Sequence, residues 1–296
     1  GEPVWVDRDG RSEPVADGWT DAVTSLALSP DGTQLAVSIA EDETHVWIRQ
    51  LDRGTESKLT FQGGQNYRPD WTPDGGSVAF VTSRLGGFDL FHRRADGTAT
   101  AELLLDVEQS LLEVRLTRDG SWLVHRRGGG PSSDLYALRI GGDSALVPLV
   151  ATDFQETAPA VSPDGRWLAY VSNETGGPEV YVSPFPNVAD GQWLVSTGGG
   201  TEPVWAHSGR ELFYRNGRLD LVAVAVLPGE AFTMGERRTL FSTQPYRADV
   251  FHQMYDVTPN DQRFVMIRLQ AEGGRDDTQL IVVENFFEEL KAKVGN

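Results

Sequence analysis

Ser29-Pro30-Asp31-Gly32 decides the fold, because it comes back. It returns as Thr72-Pro73-Asp74-Gly75, Thr117-Arg118-Asp119-Gly120 and Ser162-Pro163-Asp164-Gly165. Two degenerate copies follow, Ala206-His207-Ser208-Gly209 and Thr258-Pro259-Asn260-Asp261. The third residues stand at 31, 74, 119, 164, 208 and 260, giving intervals of 43, 45, 45, 44 and 52. So even a spacing marks an internal repeat. The motif is a tight turn: proline presets φ at the first corner, aspartate accepts from nearby backbone N–H groups, and glycine takes the positive φ.

Outward from each turn lie apolar strands. Ser25-Leu26-Ala27-Leu28 and Leu35-Ala36-Val37 flank the first copy, and Val204-Trp205 and Leu212-Phe213-Tyr214 the fifth. A third strand follows, as in Asp89-Leu90-Phe91 or Glu179-Val180-Tyr181-Val182, and then a fourth, as in Glu102-Leu103-Leu104-Leu105. Four antiparallel strands in about 45 residues make a propeller blade. Thirty residues precede Asp31 and 36 follow Asn260, together one further interval plus ends. The expected fold is therefore all-β, a six-bladed propeller of four-stranded antiparallel blades. Val4-Trp5-Val6-Asp7 and Phe264-Val265-Met266-Ile267 should share the closing blade, with Leu280-Ile281-Val282-Val283 as a further strand. Residues 285–291 read as one or two helical turns. No linker interrupts the repeat, so 1–296 reads as one domain.

Composition narrows the function. The 296 residues carry 26 Lys and Arg against 43 Asp and Glu, a net charge of −17. That disfavours nucleic acid and anionic membrane surfaces, which both need clustered cations. No cysteine is present, which excludes disulfides and thiolate chemistry. No run of 18 apolar residues spans a membrane. The chain begins Gly1-Glu2-Pro3, as a processed or excised piece would.

These repeats resemble those of TolB-type β-propellers over nearly the whole chain. Several stretches are similar, more narrowly, to the C-terminal propeller of bacterial eukaryotic-like serine/threonine protein kinases. They include Val4-Trp5-Val6-Asp7-Arg8-Asp9-Gly10, residues 159–174, Gly198-Gly199-Gly200-Thr201-Glu202-Pro203-Val204-Trp205 and Asn285-Phe286-Phe287-Glu288-Glu289-Leu290-Lys291. The resemblance implies an extracytoplasmic sensing or protein-binding module, in the periplasm or cell envelope. Arg118, His207 and Asn260 depart from the turn pattern.

Motifs for catalysis are missing. There is no G-x-S-x-G elbow, Walker loop, H-E-x-x-H or dinucleotide fingerprint. Asp7-Arg8-Asp9-Gly10 has its glycine too early for a calcium loop and reads as a hairpin turn. The repeated aspartates recur because turns recur. Neither a cofactor nor a metal is expected. Most tryptophans fall at equivalent strand positions and read as interblade core; Trp19, in a loop, reads as exposed.

The remaining candidate is the channel mouth, onto which the loops before the innermost strands open. Register puts Asn66, Tyr67, Arg68, Glu156, Glu202, Arg247 and His252 there as ligand-binding residues. Asp21, Ser110, Gln155, Thr157, Thr201, Tyr246 and Gln253 accompany them. Arg68 and Arg247 suit a carboxylate; Glu156 and Glu202 suit an amine or cation. The function expected is non-enzymatic binding of a protein partner or small ligand at this mouth, as the sensor region of a kinase receptor. Two rivals stand beside it. One is a metal-assisted hydrolase or lyase using Glu156, Glu202 and His252. The other is TolB-like envelope docking.

Overall fold

The computed structural model describes residues 1–62, 64–105, 111–128, 133–142 and 145–269. Its strands in chain order begin with β1 (Glu2–Asp7) and β2 (Ser12–Pro14). Blade one is β3 (Val23–Leu28), β4 (Gln34–Ala40), β5 (Thr44–Gln50) and β6 (Glu56–Lys58). Blade two is β7 (Asn66–Trp71), β8 (Ser77–Thr82), β9 (Asp89–Arg94) and β10 (Glu102–Leu105). Blade three is β11 (Leu111–Leu116), β12 (Trp122–Arg127), β13 (Asp134–Arg139) and β14 (Leu146–Val150). Blade four is β15 (Glu156–Val161), β16 (Trp167–Ser172), β17 (Glu179–Pro184) and the short β18 (Trp193–Leu194). Blade five is β19 (Gly200–Trp205), β20 (Glu211–Asn216), β21 (Asp220–Leu227) and β22 (Thr233–Ser242). The last strands are β23 (Tyr255–Val257) and β24 (Arg263–Arg268).

Six antiparallel four-stranded sheets result, and the sixth runs β2-β1-β24-β23. Both ends of the described chain thus share one blade. The amino-terminal strands take its outer half, and β1 pairs with β24 from Glu2↔Arg268 to Asp7↔Arg263. Val4 and Val6 are fully buried by this closure, which removes two sheet edges open to intermolecular pairing. The expected strand at 280–283 and the helical turns at 285–291 lie outside the described residues.

The repeated turn works as its chemistry predicts. Ser29 Oγ donates to Asp31 Oδ1 at 2.6 Å, the Thr33 N–H donates to the same oxygen, and the Gly32 N–H donates to Ser29 O. Gly32 has φ +74°, and a Cβ there would meet Pro259 Cδ at 2.9 Å. Hydrogen bonds to the ionised form hold the Asp31, Asp74 and Asp119 carboxyls below their ordinary pKa. The fifth turn has no aspartate of its own. Asp261 of the closing blade supplies one, accepting from the His207 N–H at 2.6 Å and the Ser208 N–H at 3.1 Å. The Asp7–Gly10 segment is the β1–β2 hairpin turn, with Asp7 Oδ1 accepting from the Asp9 and Arg11 N–H groups.

Interblade packing is apolar with polar ties. The indole N–H of Trp71 donates to Ala27 O at 2.9 Å, and that of Trp205 to Ala160 O at 3.0 Å. Asp70 accepts from the Leu116 N–H and Asp256 from the Leu28 N–H, each reaching the next blade's inner strand. Trp19, expected to be exposed, is 5% exposed: it packs in the blade-one core with the Arg49 guanidinium 4.8 Å from its ring.

Candidate functional site

Six residues before the third position of each turn, the innermost strands carry Ser25, Arg68, Glu113, Ala158, Glu202 and Met254. Here the ladder breaks: register shifts fall between Tyr67 and Asp70, Thr157 and Ala160, and Thr201 and Val204. Arg68, Ala158 and Glu202 take positive φ of 56°, 50° and 54°, each just before a proline. Such bulges re-aim side chains. At Arg68 the turn sends the guanidinium into the mouth, while its N–H donates to Ser25 Oγ.

The mouth is a pit of about 470 Å³, lined by Tyr67, Arg68, Glu113, Arg115, Arg247 and His252, with Asp249 and Gln253 among others. A second cavity of about 230 Å³ opens toward the opposite side of the channel. Arg115 and Gln253 line both cavities. Arg115 Nη2 donates to Gln253 Oε1 at 2.6 Å, and the Gln253 amide donates to the carbonyls of Ala158, Pro159 and Pro203. This septum joins blade three to residues of blades four and five and forms the floor of the pit.

One wall of the pit is the segment 243–254, between β22 and β23. A buried clamp holds it. Glu202 Oε1 accepts from the Asp249 N–H at 3.0 Å and Oε2 from the Met254 N–H at 2.7 Å. Arg215 Nε lies 3.1 Å from Glu202 Oε1, and Arg215 Nη2 donates to Arg247 O at 2.8 Å. Glu202 and Arg215 are both fully buried. Burial raises the Glu202 carboxyl to about 7 against the pull of Arg215.

Charge in the pit centres on Glu113. Its carboxylate lies 3.4 Å from His252 Nδ1, 3.6 Å from Arg115 and 3.9 Å from Arg126. Burial works against that carboxylate; His252, Arg115 and Arg126 outweigh it and hold its pKa below the ordinary value. Burial lowers His252, partly opposed by Glu113. Arg126 reaches His252 Nε2 at 3.3 Å and stands 5.7 Å from the Phe251 ring.

The expected residues divide. Tyr67, Arg68, Arg247 and His252 come together in the pit. Asn66 is buried, with its amide donating to Thr44 O and Gln62 O. Glu156 is buried in blade four, accepting from Thr152 and Ser172 hydroxyls. Glu202 faces Arg215 rather than the pit. Glu156, Glu202 and His252 are therefore not gathered into one constellation, and among the described residues no group of three or more His, Asp or Glu is placed to hold a metal ion. Ser110 lies outside the described residues. Glu113, Arg115 and Asp249 escaped the sequence reading, although counting six back from Asp119 reaches Glu113.

No protein-family model matches the chain. An uncharacterized protein of Agrobacterium fabrum is 26% identical over 153 residues, 48% of this chain and 52% of that protein. The Tol-Pal system protein TolB of Francisella tularensis is 25% identical over 158 residues, 52% of this chain and 36% of that protein. The chain thus spans about half the length of these relatives or less. Among solved structures, a putative TolB from Agrobacterium tumefaciens matches with TM-score 0.66 and 16% identity, over 90% of this chain and 97% of that one. An oligogalacturonate lyase in complex with manganese matches with TM-score 0.60 and 12% identity, over 88% of this chain and 80% of that one. These likenesses bear on the fold: a TolB-like six-bladed propeller. Among the described residues no helix is long and apolar enough to cross a membrane.

Proposed function

We propose that this chain is a non-enzymatic binding module whose mouth face engages a protein partner outside the cytoplasm, as the sensor region of a bacterial serine/threonine kinase receptor. The observation that carries the binding reading is the pit itself: a volume of about 470 Å³ with a floor and a wall that is anchored by buried hydrogen bonds. Such preorganisation is what a recognition site needs, because less ordering entropy is lost on binding. The kinase context rests on the sequence resemblance alone.

TolB-like docking of envelope proteins is the second reading, favoured by the TolB relative and the TolB-like neighbour. It uses the same fold and differs in where the partner sits. The lyase reading has less support, since the carboxylates it would recruit are engaged in separate blades.

A photoreactive residue at Val250, on the mouth face, tests the site against one at Ile140, in the β13–β14 turn on the opposite face. Both positions are exposed. Cross-links to an envelope protein from position 250 and not from 140 are expected. The reverse pattern would sink the mouth as the binding face.

A further inference from the structure

Two guanidiniums in the pit make no salt bridge among the described residues, although Glu113 and Asp249 lie near enough to Arg68 to favour its charged form. Arg68, Arg115 and Arg247 line it with the carboxylates Glu113 and Asp249. Arg115 is committed to Glu113 and Gln253. Asp249 Oδ1 accepts from the Phe251 N–H at 2.7 Å. Neither Arg68 nor Arg247 forms a side-chain ion pair among the described residues. Nη1 of Arg68 is buried and has no hydrogen-bond partner there. Burial works against the Arg68 charge, and since Nη1 is closed off, it is the rest of the side chain lining the cavity that an acceptor arriving from outside would stabilise. The local sign also reverses that of the chain, which carries −17 overall.

The mouth face also carries exposed hydrophobic residues. Six of the eleven exposed large hydrophobic residues among the described residues are Phe61, Leu85, Phe154, Leu219, Val250 and Phe251. All six sit in loops on the mouth face: before β7, between β8 and β9, before β15, between β20 and β21, and before β23. A small carboxylate would leave them bare. An anionic bilayer would be repelled by the body of the protein. A polypeptide satisfies both features, since exposed apolar patches with a polar centre mark protein contacts.

We propose that the mouth docks an extended polypeptide segment, which inserts an aspartate or glutamate side chain between Arg68 and Arg247 and lays apolar side chains on Val250, Phe251 and their neighbours. This rests on the mouth reading and adds the chemistry of the partner. Guanidiniums lining one pit favour a planar carboxylate through charge-assisted hydrogen bonds. At physiological salt the screening length is about 8 Å, so contacts inside the pit decide the outcome over the acidic remainder of the surface.

The test uses three pools of acetylated, amidated heptapeptides, randomised over Leu, Phe, Val, Ser and Gly except for a central Glu, Gln or Lys. Fluorescence anisotropy reads their binding to the full chain. The Glu pool should bind about tenfold more tightly than the Gln pool, and the Lys pool more weakly still. Arg68→Gln and Arg247→Gln should each erase the Glu-over-Gln preference while leaving thermal unfolding within a few degrees. Arg68→Lys should restore part of it. Equal binding of the Glu and Gln pools, or a preference indifferent to both arginine variants, overturns the proposal. So does glutarate displacing the Glu pool with an affinity equal to the peptides', which would make this a small-carboxylate site. So does stronger binding to phosphatidylserine vesicles than to peptide. If no pool binds while position 250 still cross-links a partner, the carboxylate assignment falls and the mouth reading stands. Cross-links confined to position 140 remove both.

Discussion

Replacing His125 by phenylalanine should remove a pH-dependent weakness from blade three. His125 lies six residues beyond Asp119, a position held in the other blades by Val37, Phe80, Tyr170, Tyr214 and Met266. It is fully buried, stacks on Tyr136 with ring centroids 5.9 Å apart, and neither ring nitrogen has a hydrogen-bond partner among the described residues. Burial, helped by Arg127, drives its pKa from 6.5 down to about 3. The unfolded chain therefore binds a proton more readily. The contribution of this group to stability is whole above pH 6.5, shrinks as pH falls, and is exhausted near pH 3. At about 1.4 kcal/mol per pKa unit, roughly 3 kcal/mol is lost by pH 4. A phenylalanine fits where Phe80 already sits and leaves no unpaired nitrogen, so at pH 8 the variant should equal or exceed the parent by about 1 kcal/mol. Urea unfolding at pH 8, 6, 5 and 4 measures both. Effects of surface carboxylates cancel in the difference, which should widen with acidity to several kcal/mol at pH 4. Parallel stability curves for parent and variant would refute the argument.

Other substitutions probe other contacts. Glu202→Ala leaves Arg215 buried and two N–H donors unsatisfied; a loss of about 3 kcal/mol is expected by denaturant titration, with faster amide hydrogen exchange at Asp249 and Met254. Trp71→Phe keeps the ring and deletes the indole bond to Ala27 O, at a cost of about 1 kcal/mol in the same assay. Gln253→Ala strips three carbonyls and Arg115 of their shared partner, for about 2 kcal/mol, and joins the two cavities in a crystal structure of the variant.

Blade number and hairpin positions could be read in advance because the intact turn motif acts locally, as between Ser29 and Gln34, where each oxygen and N–H it uses lies within five residues; the degenerate fifth copy instead borrows Asp261 from the closing blade. The partners in the closing blade could not be read, since Glu2 and Arg268 are far apart in sequence and pair through a ladder specified only by apolar alternation. Register located the mouth but not the direction of each side chain. Arg68 and Glu202 hold the same bulge position with nearly the same φ, yet only Arg68 faces the pit. Arg215 on the neighbouring strand draws Glu202 inward, and no repeat arithmetic announces that partner. Trp19 shows the same limit. Its loop position suggested solvent, and the Arg49 guanidinium with the blade-one core covers it.

The septum of Arg115 and Gln253 has a kinetic consequence. A passage blocked midway has a single doorway, so whatever enters from the mouth face must depart the same way. A macromolecule seated on that doorway then controls the escape of anything smaller lodged beneath it. Residence time there would be governed by dissociation of the outer guest.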